Sequence, residues 1–568
     1  MRRWVAELPL GDTGEAARRL FTMLRETNRL SFPPAARAEM LQLITPAFDG
    51  VYAALARHYN GLTFPLPQKS VRTAELANHL LAEMVIAWKS VLTMSEQASW
   101  LFRLSHRLLW VLAVHHMIVY LGDILSNYRT IHRHAPAGVW NTLHQLYQQA
   151  RQRGRVMKKV LRNDEMGQRS SIEQEYKRTL LLSLLEPQLF RRDQLGQVCA
   201  TMDRWLDEAQ LLPASACRED LVAYCIHDDL DAPHTLQTGQ CDKLCDKSGS
   251  VLLLELGGVN RAIETTLARM GDESAIRLPG SDMPVSREAL ETLLQCWRVP
   301  QGEREARHAS GKTVLAAVGM SANYSLLHRQ DEEERAQGIS DQEPTEEKSD
   351  AWESVFLDSE AGYRNWAKKR GEKDYHYLTA REANYTATGR CLVFDSREVE
   401  SLQVSELIGL RESQGEPLQL YIVRWLQDND ETISVGLMRL AVEAEAVLVV
   451  LHQAEGRRER KLSFGCLLGI GDDHRVQLVV PYLPGFHDRS LYLLVDGKEL
   501  PVTLGDKVFI SPLFESWHVA VDELLLEPSS GEKIPLAEVN SRLRRMAHSD
   551  EEIKNLDRND FSDLWESL

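Results

Sequence analysis

The chain lacks a long apolar run, a cysteine framework and an excess of positive charge. Its most apolar uncharged stretch, residues 108–122, is too short to span a bilayer and contains two histidines. No signal peptide is expected, because Glu7 interrupts the first apolar residues. The eight cysteines follow no framework spacing, as expected for reduced thiols in a cytosol. We therefore predict a cytoplasmic protein without a membrane span.

The charge balance bears on the kind of ligand. The formal net charge is −16, whereas DNA and anionic membranes attract proteins with large positive surfaces. The sequence thus predicts that the protein binds neither DNA nor a membrane surface. A small phosphate ligand needs only a local basic cluster, so the total charge leaves such a ligand open.

Recognisable catalytic motifs are also lacking. No Ser-His-Asp or Cys-His arrangement has a local signature. The tripeptide Gly311-Lys312-Thr313 resembles the end of a phosphate-binding loop, but the earlier glycine is missing and a predicted strand follows. We therefore predict that the protein is not an enzyme.

Two candidate metal sites are weak. Cys217, Cys225, Cys241 and Cys245 lie close together in the sequence, but their spacing is unlike the tight CxxC pairs of structural zinc sites. His227-Asp228 resembles the metal-binding pair of HD-type phosphohydrolases, yet it ends a predicted strand where those sites need a helix. The sequence therefore predicts no metal and no cofactor, and a metal-dependent phosphohydrolase is a distant alternative.

The fold class predicted from the hydrophobic pattern is a multidomain α+β protein. Residues 1–210 show apolar residues at helical spacing almost throughout and are expected to form an α-helical domain. Residues 211–330 are expected to form an α+β module. Their pattern predicts short apolar strands, among them residues 314–318, and helices, one of which Ser286 would cap. His115 and His116 lie on a predicted apolar helix and are expected to be core or interface histidines rather than ligands.

An acidic segment divides the predicted domains. Residues 331–350 contain nine acidic and two basic side chains, which is typical of a flexible, disordered linker. Residues 351–530 are rich in predicted strands separated by turn signals, which favours one or two small antiparallel β-barrels. Residues 531–568 are expected to be a helical or disordered tail. The predicted strands of this half cover residues 390–394, 418–426, 433–440, 446–451, 476–480, 491–495 and 508–510.

The most informative motif is Asn384-Tyr385-Thr386-Ala387-Thr388-Gly389. An amide, a hydroxyl two residues later and a glycine three beyond that can shape a tight turn at a strand edge. There the polar groups can bind a flat ligand, and the glycine lets it approach the backbone. The basic segment 364–370 lies shortly before the motif and would neutralise phosphate.

This pattern resembles the PilZ domain, the bacterial receptor for cyclic di-GMP, whose loop reads RxxxR and whose strand motif reads (D/N)xSxxG. The resemblance covers residues 360–445 and implies a β-barrel. It implies that Asn384 and Thr386 contact guanine, that Gly389 permits close approach, and that Arg364 and Lys368 take the places of the loop arginines. Lysine lacks the planar fork that stacks on guanine and chelates phosphate, so Arg370 or Arg381 would have to substitute. The residues assigned to the ligand are Arg364, Lys368, Arg370, Asn384, Thr386 and Gly389.

The expected function is that of a bacterial cytoplasmic regulatory protein in which nucleotide binding alters contacts with a protein partner. The alternative is a scaffold or chaperone-like adaptor whose barrel no longer binds nucleotide. A second basic cluster, residues 457–461, is either the loop of a second, diverged barrel or a charged turn.

Overall fold

The computed structural model divides the chain into two compact units, Met1–Arg304 and Glu305–Leu568. Each unit is described by itself. The structure describes residues 1–99, 106–162, 169–186, 190, 192–217, 223–227, 233–235, 251–271, 273–279, 283–298, 306–338, 375–413, 415–429, 431–455, 458–482, 490–511, 513–520 and 535–546.

The first unit begins with a helical region, as the sequence predicted. Its helices are α1 (Arg2–Ala6), α2 (Thr13–Asn28), α3 (Pro34–Ala56), α4 (Gln68–Gln97), α5 (Arg107–Thr130), α6 (Val139–Gln152), α7 (Ile172–Leu184) and α8 (Arg192–Leu206). Local signals set their ends. The Asp12 carboxylate accepts the Glu15 N–H at the start of α2, and Ser171 and Gln174 form a reciprocal capping box at the start of α7.

The core of this region lies between α4 and α5. The Trp88 indole of α4 is fully buried and stacks on the His116 ring of α5, with the ring centroids 4.5 Å apart. The His115 Nε2 lies 2.8 Å from the Ser170 hydroxyl oxygen. Both histidines are buried, so the expectation of core histidines is confirmed.

The rest of the first unit combines short strands with two helices. Strand β1 (Lys159–Leu161) pairs with β2 (Arg169–Ser171), and β7 (Ala275–Arg277) pairs with β8 (Pro284–Ser286). A separate sheet, in the order β3-β6-β4-β5, consists of β3 (Gln210–Pro213), β4 (Ala223–His227), β5 (His234–Thr235) and β6 (Val251–Glu255). Helix α9 spans Gly257–Met270, and α10 spans Arg287–Trp297. The Ser286 hydroxyl accepts the Ala289 N–H at 3.3 Å, which confirms it as the N-cap of α10.

The second unit contains a closed six-stranded antiparallel barrel. The barrel strands are β10 (Thr313–Val318), β11 (Leu378–Tyr385), β12 (Gly389–Asp395), β13 (Leu407–Arg411), β14 (Leu418–Asp428) and β15 (Thr432–Glu455). A short strand, β9 (His308–Ala309), pairs with β11, and helix α11 (Met320–Gly338) follows β10. Pairing runs β10-β11-β12-β15-β14-β13 and returns to β10, so every strand has two neighbours and no edge is left open.

A second closed ring continues from the same β15. Its other strands are β16 (Arg458–Ile470), β17 (Val476–Pro481), β18 (Ser490–Val495), β19 (Lys498–Ile510) and β20 (Phe514–Ala520). Pairing runs β15-β16-β17-β20-β19-β18 and returns to β15. Numbered from its first strand, each barrel follows the order 1-2-3-6-5-4. The 24-residue β15 is the last strand of the first barrel and the first strand of the second.

The barrels pack through a shared apolar cluster. Leu420 of β14, Leu467 of β16 and Phe514 of β20 are buried in this cluster together with Leu327 of α11. A final helix, α12 (residues 536–546), places Leu543 in the interior cluster of the second barrel. The predicted tail 531–568 thus contains a helix that packs on its own chain, while residues 547–568 lie outside the described part.

Three expectations about this half need correction. The strand predicted at 314–318 exists as β10, but it is a barrel strand rather than part of the middle module, so the barrel region begins before residue 351. The predicted linker 331–350 begins inside α11, and its residues beyond 338 lie outside the described ranges. The strands predicted at 433–440 and 446–451 are one continuous strand. Glu443 lies between the two predicted segments, and its carboxylate accepts the N–H of Leu536 of α12 at 3.1 Å.

The cysteines differ in one place from the expectation of reduced thiols. Cys217 is disulfide-bonded. Cys225 is a free, buried thiol in the apolar strand β4, where it packs as a small hydrophobic side chain.

Candidate functional site on the first barrel

The hairpin between β11 and β12 contains the motif that the sequence singled out. The Thr386 N–H donates to the Gly389 carbonyl at 2.8 Å, and the Gly389 N–H donates to the Thr386 hydroxyl oxygen at 2.9 Å. A Cβ on Gly389 would lie 3.1 Å from both that oxygen and the Leu437 carbonyl oxygen. Glycine thus lets the turn close tightly against β15, and the Thr386 O–H remains able to donate to a ligand.

Strand register places four residues in one row across the outside of the barrel. Asn384 lies opposite Cys391, Cys391 opposite Gly436, and Gly436 opposite Trp425. Residues directly opposite each other on antiparallel strands project from the same face. This face is the outer one, because Trp425 is 44% exposed while Leu392, which alternates with Cys391, is fully buried. We call these four residues the outer row.

An exposed aromatic ring lies at one end of the outer row. The Trp425 indole lies directly over Gly436, where a Cβ would meet its Nε1 at 1.8 Å. Met438, one step farther along β15 and opposite Gly389, is 37% exposed. Neighbouring strands are about 4.8 Å apart, so the row runs roughly 14 Å from Asn384 to Trp425. It therefore joins an amide at one end to a flat apolar platform at the other.

Positive charge lies beside the middle of the row. Burial raises the pKa of the Cys391 thiol, and the nearby charges of Arg307 and Arg381 act in the opposite direction. Both arginines are exposed, and Arg381 lies opposite Val393, two residues beyond Cys391 on the same outer face. An anion placed against the row would therefore meet two guanidinium groups.

On the inner side, the same hairpin is held by a buried ion pair. The Arg390 Nη1 lies 2.6 Å from the Glu382 Oε1, and the Arg390 Nε donates to the Tyr421 hydroxyl oxygen at 2.9 Å. Burial alone would lower the pKa of Arg390, but Tyr421 and Glu382 outweigh it and raise that pKa above its usual value. The Glu382 side chain is only 2% exposed, so this pair fixes the base of the hairpin.

The structure brings some of the predicted ligand residues together. Asn384, Thr386 and Gly389 lie in one hairpin, with Asn384 in the outer row. Arg364, Lys368 and Arg370 lie outside the described residues, so their role stays a prediction. Sequence reasoning missed Arg307, Met438 and Trp425 as members of this surface, because only the register of non-adjacent strands brings them beside the motif. No local sequence pattern marked Trp425 as part of this surface, because its partner Gly436 lies on the neighbouring strand β15.

Within the described residues, the other candidate motifs form no site. No group of three or more potential metal ligands occurs among the residues that the structure describes. His227 ends β4, and Asp228 falls outside those residues. The Lys312 ammonium pairs with the Glu412 carboxylate at 3.0 Å, and Thr313 begins β10 rather than a helix.

Comparison with known proteins finds matches for two parts of the chain. Residues 1–215 match the family described as the N-terminal domain of the cyclic-di-GMP receptor FimW, and residues 243–445 match its middle PilZ domain. The chain thus contains a PilZ domain within residues 243–445. It is 24% identical over 605 aligned positions to the cyclic-di-GMP receptor FimW of Pseudomonas aeruginosa, an alignment that covers 100% of this chain and 95% of the relative. No solved structure matches the chain.

The PilZ match confirms the resemblance and extends its range. It begins at residue 243, well before the expected start at 360, and it includes β10, which closes the barrel. The match ends at residue 445, where β15 passes from the PilZ barrel into the second barrel. The outer row and its hairpin lie wholly within the matched range.

One helix bears on the membrane question. Helix α5 is long and apolar enough to cross a bilayer, but 72% of its most apolar window is buried inside the fold. That burial is typical of the core helix of a soluble protein, in agreement with the buried helix that the sequence predicted for residues 108–122.

Proposed function

We propose that this protein is a cytoplasmic cyclic di-GMP receptor that acts by binding rather than by catalysis. The nucleotide lies on the outer face of the PilZ barrel, and its binding alters the contacts of the chain with a protein partner. The observation that carries this proposal is the outer row, which places an amide, an open backbone and an aromatic platform on one exposed surface beside two arginines.

Each part of the row suits a part of the ligand. The Asn384 amide has both a donor and an acceptor and can pair with the edge of guanine. The Trp425 ring offers a face on which a second base can stack, an interaction that tolerates any base. The guanidinium groups of Arg307 and Arg381 can bind phosphate oxygens, which arginine chelates through two parallel N–H groups.

The basic segment before β11 completes the proposed site. Arg364, Lys368 and Arg370 would wrap the phosphates from the loop side. Arg381 supplies the planar fork that Lys368 lacks, because it lies on β11 opposite Val393, which is two residues along β12 from Cys391 on the outer face. Ordering of this loop against the barrel would be the event that a protein partner reads.

Calorimetric titration of the full chain with cyclic di-GMP tests the proposal. Arg364→Ala and Arg381→Ala should each weaken binding by about 1.5–3 kcal/mol, the range for a hydrogen bond to a charged group. Trp425→Ala should weaken it by about 1–3 kcal/mol through lost stacking. Arg397→Ala is the matched control, because this exposed arginine pairs with Asp395 at the far end of β12.

The outcomes separate a pocket from diffuse attraction. Unchanged binding in the Arg397 variant together with losses in the other three supports the outer row. Equal losses in all the arginine variants would point to general electrostatic attraction instead. An absence of binding heat in the unaltered protein would reject the proposed function and leave the adaptor hypothesis.

A further inference from the structure

One segment of the first unit carries charge of the opposite sign to the rest of the chain. Residues 151–169 contain seven basic and two acidic side chains, whereas the whole chain has a formal net charge of −16. The described part of this segment runs from the end of α6 through β1 to the start of β2. The segment is therefore a local source of positive charge in an acidic protein.

Two arginines anchor the beginning of this segment to helix α5. The guanidinium carbon of Arg153 lies 4.4 Å from the centre of the Trp110 ring, and that of Arg155 lies 5.8 Å from it. The Glu96 carboxylate accepts the Trp110 indole N–H at 3.0 Å and an N–H of Arg153 at 2.8 Å. The Arg155 guanidinium donates to the Arg107 carbonyl at 3.2 Å. These contacts fix the place from which the following residues enter β1.

The exposed face of the β1–β2 hairpin alternates positive charge with apolar surface. Lys159 and Leu161 are exposed on either side of the buried Val160, and Leu161 lies opposite the exposed Arg169. Residues directly opposite each other on antiparallel strands project from the same face. Met157, just before β1, is 69% exposed, the largest exposed fraction of any large apolar side chain that the structure describes. The name basic apolar patch is used below for Met157, Lys158, Lys159, Leu161 and Arg169.

The cations of the patch have no acidic partner among the residues that the structure describes. The neighbouring Arg153 and Arg162 pair with Glu96 and Glu175, respectively. Lysine on the open edge of a small sheet ordinarily protects that edge from pairing with another chain. Exposed methionine and leucine have the opposite effect, because burial of apolar surface favours association and methionine adapts to varied partners. The patch therefore has the composition of a binding surface rather than of a protected edge.

The charge and the apolar side chains together indicate the chemistry of the partner. A protein segment with acidic and apolar side chains intermixed would complement both. Charges farther away than about 8 Å are largely screened at physiological salt, so a short segment would experience the patch rather than the net charge of the chain. An anionic bilayer would extend beyond the patch, where the negative net charge opposes its approach. A protein segment is therefore the better match.

We propose that the basic apolar patch binds an acidic, amphipathic segment of a protein partner. Lys158, Lys159 and Arg169 attract the carboxylates of that segment, while Met157 and Leu161 cover its apolar side chains. The inference deepens the proposed function and rests on it for the role of the partner, whose contact with the chain nucleotide binding is proposed to alter.

The test is fluorescence anisotropy of a dye-labelled peptide of three Glu-Glu-Leu-Leu repeats, titrated with the full chain in the presence and absence of saturating cyclic di-GMP. In extended form each face of this peptide alternates acid and leucine, as the hairpin face alternates cation and apolar residue. Lys159→Glu should weaken peptide binding by about tenfold at low salt, and the loss should shrink as salt screens the charge. Met157→Asp should weaken it by about threefold to tenfold, because apolar contact is replaced by a carboxylate.

Two matched controls make similar changes elsewhere on the first unit. Lys69 is exposed at the start of α4, roughly 40 Å along that helix from Glu96, so Lys69→Glu should leave peptide binding unchanged. Leu30 is 56% exposed just beyond α2, where the Asn28 amide donates to the Glu83 carbonyl of α4. Glu83 lies roughly 20 Å along α4 from Glu96, so Leu30→Asp should also have no effect. Circular dichroism of the four variants checks that each is folded.

The outcomes separate this inference from its alternatives. Equal weakening in Lys69→Glu and Lys159→Glu would refute the patch, because general attraction would then explain binding. Equally tight binding of a polyglutamate peptide of the same length would refute the amphipathic partner. Tighter binding to vesicles of phosphatidylcholine and phosphatidylglycerol than to the peptide, lost in Lys159→Glu, would assign the patch to a membrane and overturn the proposal.

The same experiment distinguishes a failure of the patch from a failure of the proposed function. Peptide binding in neither condition, by a chain that binds cyclic di-GMP in calorimetry, would refute the patch and leave the nucleotide receptor standing. Peptide binding that follows the predicted pattern, by a chain that shows no heat with cyclic di-GMP, would support the patch and refute the proposed function.

Discussion

Replacement of Gly436 by alanine tests the geometry of the outer row. The new Cβ would meet three atoms of the Trp425 indole at 1.8, 2.1 and 2.5 Å, whereas ordinary contact begins near 3.4 Å. The ring must therefore move by about 1.6 Å, the difference between 3.4 and 1.8 Å. Because Trp425 is partly exposed, it can lift away and lose some of its contact with the barrel. At about 25 cal/mol per Å² of lost apolar contact, we expect a destabilisation of about 1–2 kcal/mol.

Denaturant unfolding and nucleotide titration should report this change together. Gly436→Ala should lower the free energy of unfolding and also weaken nucleotide binding, since it displaces the proposed stacking platform. Gly311→Ala is the control, because its Cβ would meet nothing within 4 Å. In a Trp425→Ala background, Gly436→Ala should change the free energy of unfolding little. The coupling free energy between the two substitutions should therefore be about 1 kcal/mol or more. Unaltered stability and affinity in Gly436→Ala would show that the ring does not lie over this glycine.

Three further predictions concern stability. Glu382→Ala should destabilise the PilZ barrel by about 3 kcal/mol in denaturant unfolding, because Arg390 loses its buried carboxylate; a loss below about 1 kcal/mol would contradict that pairing. Gly409→Ala should cost about 1–3 kcal/mol, since its Cβ would lie 1.8 Å from the buried Asn323 amide oxygen, and unchanged thermal unfolding would contradict this packing. Burial lowers the pKa of His115 to about 3, so the unfolded chain binds a proton there that the folded chain does not. The first unit should therefore lose about 1.4 kcal/mol per pH unit from this group as the pH falls below about 6.5, and His115→Gln should flatten that dependence in unfolding measured against pH.

The sequence predicted elements whose signals are local. The Ser286 cap and the strand at 390–394 each follow from residues close together in the chain. The motif from Asn384 to Gly389 was found for the same reason, because its turn is closed by its own hydroxyl and glycine. These features need no knowledge of the partner strands.

Closure of the barrels could not be predicted in this way. Strand β10 pairs with β11 across an intervening acidic segment, and the composition of that segment suggested a domain boundary instead. The sequence predicted two strands where β15 is continuous, since Glu443 and Glu445 separate the two apolar segments at the place where one barrel passes into the other. Trp425 joined the candidate site only through its register with Gly436, a relation between strands that a single sequence does not display.

Hydrogen exchange of the full chain, with and without cyclic di-GMP, shows which surface the nucleotide covers. We expect nucleotide to slow amide exchange in residues 384–391 and around Trp425 and Met438, where the outer row would be covered. We also expect little protection at residues 469–477, because the corresponding face of the second barrel is already buried. Protection confined to the second barrel, or none in either barrel at saturating nucleotide, would contradict the proposed site.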